Sequence, residues 1–104
     1  MTRGDVYRVR LPKGRGHEQR GPRYAVIVQA DELLGLSTAI VAPTSRSAAP
    51  ATFRPEVQVG VEATRVLVEQ LRAVDISRLV EHAGRLTPEE QQAVDGALEL
   101  VLAL

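Results

Sequence analysis

The stretch RYAVIVQA, residues 23–30, limits the fold of this chain more than any other, because residues 25–28 are four consecutive apolar side chains. Successive side chains of a strand point to opposite faces, so a strand that is apolar at every position has to be covered on both. The segment before it, residues 12–22, carries three glycines and two prolines and reads as a loop. That loop is crowded with Arg, His, Glu and Gln. Rigid scaffolds concentrate binding and catalysis on their loops, so this polar segment at the mouth of a doubly buried strand is the first candidate site.

What covers the buried strand has to come from a short chain. At 104 residues one domain with a single modest core is expected. One Phe, two Tyr and no Trp leave Val, Leu, Ile and Ala to build that core, and self-association is expected to supplement it. DVYRVRL (5–11) alternates Tyr7, Val9 and Leu11 against Val6, Arg8 and Arg10, which predicts a strand with one wet face, ended by Pro12. DELLGLS (31–37) reads as a helical turn or an irregular excursion around Gly35. TAIVAP (38–43) predicts a short strand ended by Pro43, with a loop of small residues from 44 to 52. EVQVGV (56–61) and TRVLVEQL (64–71) predict a hairpin that turns near Gly60. DISRLVEHAGRL (75–86) predicts a helical turn followed by a short strand.

The chain ends in its clearest helix. Thr87 suits the N-cap, Pro88 the first helical position, and Glu90, three residues on, completes a capping box. Val94, Ala97, Leu98, Val101 and Leu102 then form one apolar stripe, which packs either on the sheet or on another copy of the chain. Gly96 in the middle means close packing or a tolerated defect. Five or six short strands and one terminal helix predict a mainly β fold, a small antiparallel barrel.

Composition narrows the chemistry. With no Cys there is neither a disulfide framework nor a thiolate zinc site, and His17 and His82 show no ligand spacing, so no structural metal is expected. Charged residues in the first ten positions argue against a signal peptide, and no apolar run approaches the roughly 18 residues of a membrane span. A cytoplasmic protein is expected. Net charge is zero but unevenly placed: residues 1–60 hold nine basic side chains against five acidic, and residues 61–104 hold four against eight. Such a chain can present a cationic groove and an anionic back, or merely a solvated surface whose charges segregate.

Four segments, in order, resemble the MazF/PemK family of toxin endoribonucleases, the toxin halves of bacterial toxin–antitoxin pairs. RGDVYRV (3–9) is similar to the opening strand, and GHEQRGPRYAVIVQAD (16–31) to the Gly-x-Glu-Gln loop followed by an Arg and an aliphatic strand. IVAPTS (40–45) is similar to the strand ending in a Thr or Ser pair, and VLVEQLRAVD (66–75) to the Glu/Asp-Gln-x-Arg-x-x-Asp segment. The resemblance implies an SH3-like barrel, a homodimer, and cleavage of single-stranded RNA at short preferred sequences without metal or cofactor. It also implies a cognate acidic antitoxin as partner. Residue by residue, it places the catalytic Arg on Arg23 and its hydroxyl partner on Ser45, with Thr44 adjacent. The RNA groove falls to Glu18 and Gln19 of the loop, and Gln70 and Arg72 lie in the last matched segment. Two positions depart from the pattern: Tyr24 follows the Arg where Pro is usual, and Ser45 stands where Thr is usual. Tyr24 reads as a buried strand residue, or as a stacking face for a base.

The residue types suit that chemistry. Metal-free RNA cleavage uses the neighbouring 2′-hydroxyl as nucleophile, so the protein has to stabilise phosphorane charge and help protons on and off oxygen. A guanidinium grips two phosphate oxygens and a hydroxyl donates to a third. Arg23 therefore serves charge stabilisation rather than proton transfer. His17 has the ordinary pKa of a proton shuttle, or is a solvated bystander. Glu18 is the other acceptor, or a salt-bridge partner of Arg20 or Arg23. His17 and Arg20 join Glu18 and Gln19 as candidate RNA contacts. Arg8 and Arg10 either line the groove or keep the first strand soluble, and His82 reads as structural. Two rivals remain: a CcdB-like toxin that binds a topoisomerase without chemistry, which would not need Arg23 and Ser45, and a peptide-binding SH3-like adaptor, for which three aromatics are too few.

Overall fold

A computed structural model describes residues 1–11 and 21–104. Among these, seven strands pair antiparallel throughout: β1 (Asp5–Leu11), β2 (Gly21–Ile27), β3 (Thr38–Ser45), β4 (Glu56–Val59), β5 (Glu62–Val66), β6 (Arg72–Asp75) and β7 (Leu79–Arg85), followed by one helix, α1 (Pro88–Leu102). The sheet runs β4-β5-β3-β2-β1-β7, with β6 on β3 beside β5, and it curls until β4 meets β7. The mainly β, SH3-like barrel with a C-terminal helix that the sequence predicts is the observed architecture.

The doubly buried strand organises it. Ala25 and Ile27 face a cluster with Val9, Val41 and Val74, while Val26 faces the opposite way, into a cluster with Val6, Ala42, Val57, Val66 and Val68. Helix α1 closes this second cluster with Val94, Ala97 and Leu98, so its stripe packs on the sheet. Each Val or Leu fully buried this way contributes roughly 1.5–3 kcal/mol. Leu102, read as part of the stripe, is 50% exposed, whereas its neighbour Val101 packs against the cluster. A Cβ on Gly96 would meet nothing within 4 Å, so that glycine is a tolerated defect and not a close contact.

Several boundaries differ from the reading above. Strand β1 has no fully wet face: Val6 is as buried as Val9, and the β1–β7 register shifts on either side of the Tyr7–Arg8 pair. Pro43 does not end β3. It lies between the residues that pair with β6 and those that pair with β5, where its missing N–H breaks no ladder bond and its carbonyl still accepts from Leu67 N at 2.8 Å. The hairpin turns at Gly60, with φ at +62°, as predicted, but β5 stops at Val66. Val66, Leu67 and Val68 are all buried, which an alternating strand on one face cannot achieve, and the chain bends into the 3-10 turn Val68–Gln70. Strand β6, four residues long, follows that turn and has no counterpart among the predicted strands.

The local signals at the end of the chain hold throughout. A 3-10 turn, Ile76–Arg78, precedes β7. Thr87 Oγ1 accepts from Glu90 N at 3.1 Å, the Glu90 carboxylate accepts from Thr87 N at 2.9 Å, and Pro88 opens α1. The start of the chain is pinned to this end: Gly4 N donates to the Ile27 carbonyl at 2.8 Å and Leu86 N to the Gly4 carbonyl at 2.9 Å. Gly4 has φ at +95°, a conformation that strains any residue with a Cβ and favours glycine.

Candidate active site

A groove of about 390 Å³ opens where β3 parts from β2 and begins to pair with β5. Its floor and walls come from Arg8 on β1, Arg23 and Tyr24 on β2, Thr44 and Ser45 at the end of β3, and the β4–β5 hairpin. The β2–β3 register ends at Ala25 opposite Pro43; carried two residues further, it sets Tyr24 opposite Thr44 and Arg23 opposite Ser45. The structure thus gathers Arg23, Ser45 and Thr44, chosen from segments about twenty residues apart, along one groove.

The two hydroxyls have different work. Thr44 is 4% exposed and its Oγ1 donates to the Tyr24 carbonyl at 3.0 Å, so it ties β3 to β2 at the groove wall. Ser45 is half-buried, with its Oγ 3.3 Å from that of Ser47, and it can turn to a ligand. Arg23 is exposed, and Arg8 sits across the strand from Tyr24. Arg46 adds a third guanidinium, paired with Glu62 at 2.9 Å across the groove mouth, both side chains mostly exposed. Such a set has the chemistry to take a phosphate diester: forked N–H donors for two oxygens, a hydroxyl for a third, and further cations for flanking phosphates. Among the described residues no three His, Asp or Glu side chains gather where they could hold a metal ion.

Other predicted residues lie elsewhere. His17, Glu18, Gln19 and Arg20 are outside the described residues. Gln70 ends the 3-10 turn, its N–H bonded to the Leu67 carbonyl, and Arg72, on β6, pairs with Val41 of β3; neither lines the groove. Arg8 does line it, whereas Arg10 stands by Asp75, Ser77 and Arg78 at a different concavity. His82 is structural, its ring edge-on to Tyr7 with 5.3 Å between centroids and its Nε2 3.4 Å from Asp5 Oδ1. Tyr24 is not buried: it is 39% exposed. Its strand neighbours Arg8 and Thr44 supply no apolar wall for the ring to enter. Arg46, Ser47, Glu62 and Thr64 also line the groove and were missed, since only the pairing of β3 with β5 brings the hairpin there.

Comparison with known proteins points the same way. Residues 2–102 match the family model described as PemK-like, MazF-like toxin of type II toxin-antitoxin system. Endoribonuclease EndoA of Bacillus subtilis is 37% identical over 111 residues, covering 100% of this chain and 96% of its own length. A candidate toxin of Mycobacterium tuberculosis is 51% identical over 77 residues, 73% of this chain and 72% of its own. Among solved structures, MazF of Deinococcus radiodurans superposes with a TM-score of 0.87 at 22% identity, covering 100% of this chain and 97% of that one. An endoribonuclease in complex with its cognate antitoxin, from a mycobacterial species, gives 0.83 at 17% identity, with 100% and 96% covered. The last two establish likeness of fold.

Proposed function

Since this chain belongs to the PemK-like, MazF-like toxins of type II toxin–antitoxin systems, we propose that the groove between β2, β3 and the β4–β5 hairpin cleaves single-stranded RNA without a metal ion. In this reaction the ribose 2′-oxygen bonds to the adjacent phosphorus as the bond to the 5′-oxygen breaks. The 2′ proton leaves, and a proton reaches the departing 5′-oxygen. Arg23 grips two non-bridging oxygens as their charge grows, and the Ser45 hydroxyl donates to the phosphorane or the leaving oxygen. Thr44 holds the two strands in register beneath them. Because nucleophile and electrophile share one molecule, fixing their orientation accounts for much of the rate. The segment 17–20 flanks this site in sequence and supplies further RNA contacts, with His17 and Glu18 as proton carriers.

One observation carries this reading: Arg23 and Ser45 come together on one groove beside two more arginines. The topoisomerase-binding alternative has no use for that pairing. The same cationic groove suits the acidic segment of a cognate antitoxin, and the relatives' complexes support such a partner. A homodimer fits the small core and the exposed Leu33, Leu36 and Ile40. The cytoplasm, where messenger RNA and antitoxin are both made, is its place of action; among the described residues no helix is long and apolar enough to cross a membrane.

The test is cleavage of a long defined RNA. Arg23→Lys keeps the charge but loses the fork, and is expected to lower kcat roughly a hundred- to a thousandfold. Ser45→Ala should lose less, because a neutral donor contributes less than a charged one. Arg10→Lys, outside the groove, should cleave like the wild type. Near-normal cleavage by Arg23→Lys would move the chemistry to another residue.

A further inference from the structure

Tyr24 is the aromatic residue of the groove, and the proposed chemistry leaves it unused. The chain has three aromatic side chains, and two are engaged: Tyr7 meets the edge of His82, and the Arg54 guanidinium carbon stands 5.3 Å from the centre of the Phe53 ring. The third opens onto the groove beside Arg23. By strand alternation Tyr24 shares a face of β2 with the buried Val26, but at the groove that face passes to mostly polar neighbours, with Val59 the aliphatic side chain in the lining. Its backbone is held firmly, between Arg8 on β1 and the Thr44 hydroxyl on β3. A π face is therefore presented to solvent on a rigid strand, one residue from the guanidinium assigned to the scissile phosphate, among three cations that attract a nucleic-acid backbone.

We infer that Tyr24 is a substrate-positioning residue whose ring stacks on a base of the RNA next to the scissile phosphate. The inference rests on the RNA-cleaving reading above and adds to it a contact with a base. Every base offers a π face, so this contact fixes where the strand lies without demanding one hydrogen-bond pattern. Held at its base, the nucleotide keeps its 2′-hydroxyl in line with the bond to be broken, while Arg23 takes the phosphate.

The experiment measures the affinity of a 2′-O-methyl single-stranded RNA, which binds but cannot be cut, at one fixed salt concentration. The strand carries the mapped cleavage site, or a mixed sequence where none is mapped, and each base in turn is replaced by an abasic position. Tyr24→Ala should weaken binding roughly 5- to 150-fold, the range of one base–aromatic stack. Tyr24→Phe, which keeps the ring, should restore most of that affinity. With the abasic position at the stacked base, wild type and Tyr24→Ala should bind equally; elsewhere their ratio should persist.

Undiminished binding by Tyr24→Ala overturns the inference. So does a Phe variant as weak as Ala, which would assign the role to the hydroxyl, or a wild-type abasic scan with no sensitive position, a result that needs no variant to fold. Cleavage separates the two levels. RNA cut normally by Tyr24→Ala sinks the stack and leaves the nuclease reading standing. A Tyr24-dependent stack in a wild type that cuts no RNA sinks the nuclease reading and leaves the stack.

Discussion

Two regions of this molecule are built around arginine, and they use it oppositely. At the seam joining the chain's start to β7 and α1, Arg85 Nη1 donates to Asp5 Oδ1 at 2.9 Å and to Thr2 Oγ1 at 2.6 Å. Arg3 Nη2 meets Asp95 Oδ1 at 2.8 Å, and its Nε reaches the Val28 carbonyl at 3.0 Å. The Asp5 side chain is only 9% exposed and also accepts from Thr2 N at 2.8 Å. Burial alone would raise its pKa; the hydrogen bonds from Thr2, Arg85 and His82 outweigh it and hold the carboxyl below its ordinary value. Asp95 shows the same balance, burial opposed by Arg3 and Gln91, with the same downward result.

In the groove the partnership is looser. The carboxylate facing Arg46 is Glu62, an exposed side chain that water can replace. A guanidinium tied to a sheltered carboxylate, as Arg85 is to Asp5, or to a carboxylate and a backbone carbonyl together, as Arg3 is, is part of the frame. One held by an exposed carboxylate at a groove mouth can be exchanged for a phosphate oxygen. The position of the partner, not the arginine itself, makes the difference.

The comparison can be broken by substitutions that ought to affect only one region. Arg23→Lys has the largest expected effect, roughly 3–4 kcal/mol on the cleavage barrier, with the thermal midpoint unchanged. A parallel fall in the midpoint would mean that the groove arginine is framework too. Asp5→Asn should do the reverse. It removes the charge shared by Arg85 and His82 and costs about 1–3 kcal/mol of stability. For a domain of this size that is roughly a 4–8 °C fall in midpoint per kcal/mol, read by calorimetry. Cleavage below the midpoint should be unaffected.

Acid sharpens the same contrast. Folded Asp5 and Asp95 titrate below their unfolded values, so their contribution is complete above about pH 4 and is lost as pH falls through the depressed folded pKa values. The acid limb of a stability profile should flatten in Asp5→Asn. Thr87→Ala, which removes one half of the capping box, should lower stability by about 1 kcal/mol in urea titration. The smallest effect is expected at the exposed pair: Glu62→Gln should change stability by less than about 0.5 kcal/mol. It should nevertheless tighten binding of uncleaved RNA, since Arg46 no longer has a competing carboxylate.

Legibility followed the range of the interactions. The capping box needs only Thr87 and Glu90, three residues apart, and the hairpin needs only Gly60 with alternating neighbours, so both could be read before any fold was known. Residues 25–28 announced a strand covered on both faces, because four apolar side chains in a row leave no side for water. Arg23 and Ser45 were found through a resemblance, which reports residue types at spacings that a shared fold has already arranged. Strand β6 was missed for the opposite reason: Arg72–Asp75 has no periodicity of its own and is a strand because residues 38–41 present it with an edge.

Elements whose causes lie within a few residues of one another follow from the chain's local chemistry: the helix and its caps, the hairpin, and the doubly buried strand that required a layer on each face. Tertiary structure alone decided which polar side chains share the groove. Tyr24 had every local reason to be buried beside Ala25, and it is exposed where the neighbours that the sheet sets beside it, Arg8 and Thr44, sixteen and twenty residues away in sequence, are polar. Arg46 and Glu62 face each other because β3 changes partner from β2 to β5 at the end of its run. A strand's neighbours are set by register across the sheet, and register is a property of the folded chain as a whole.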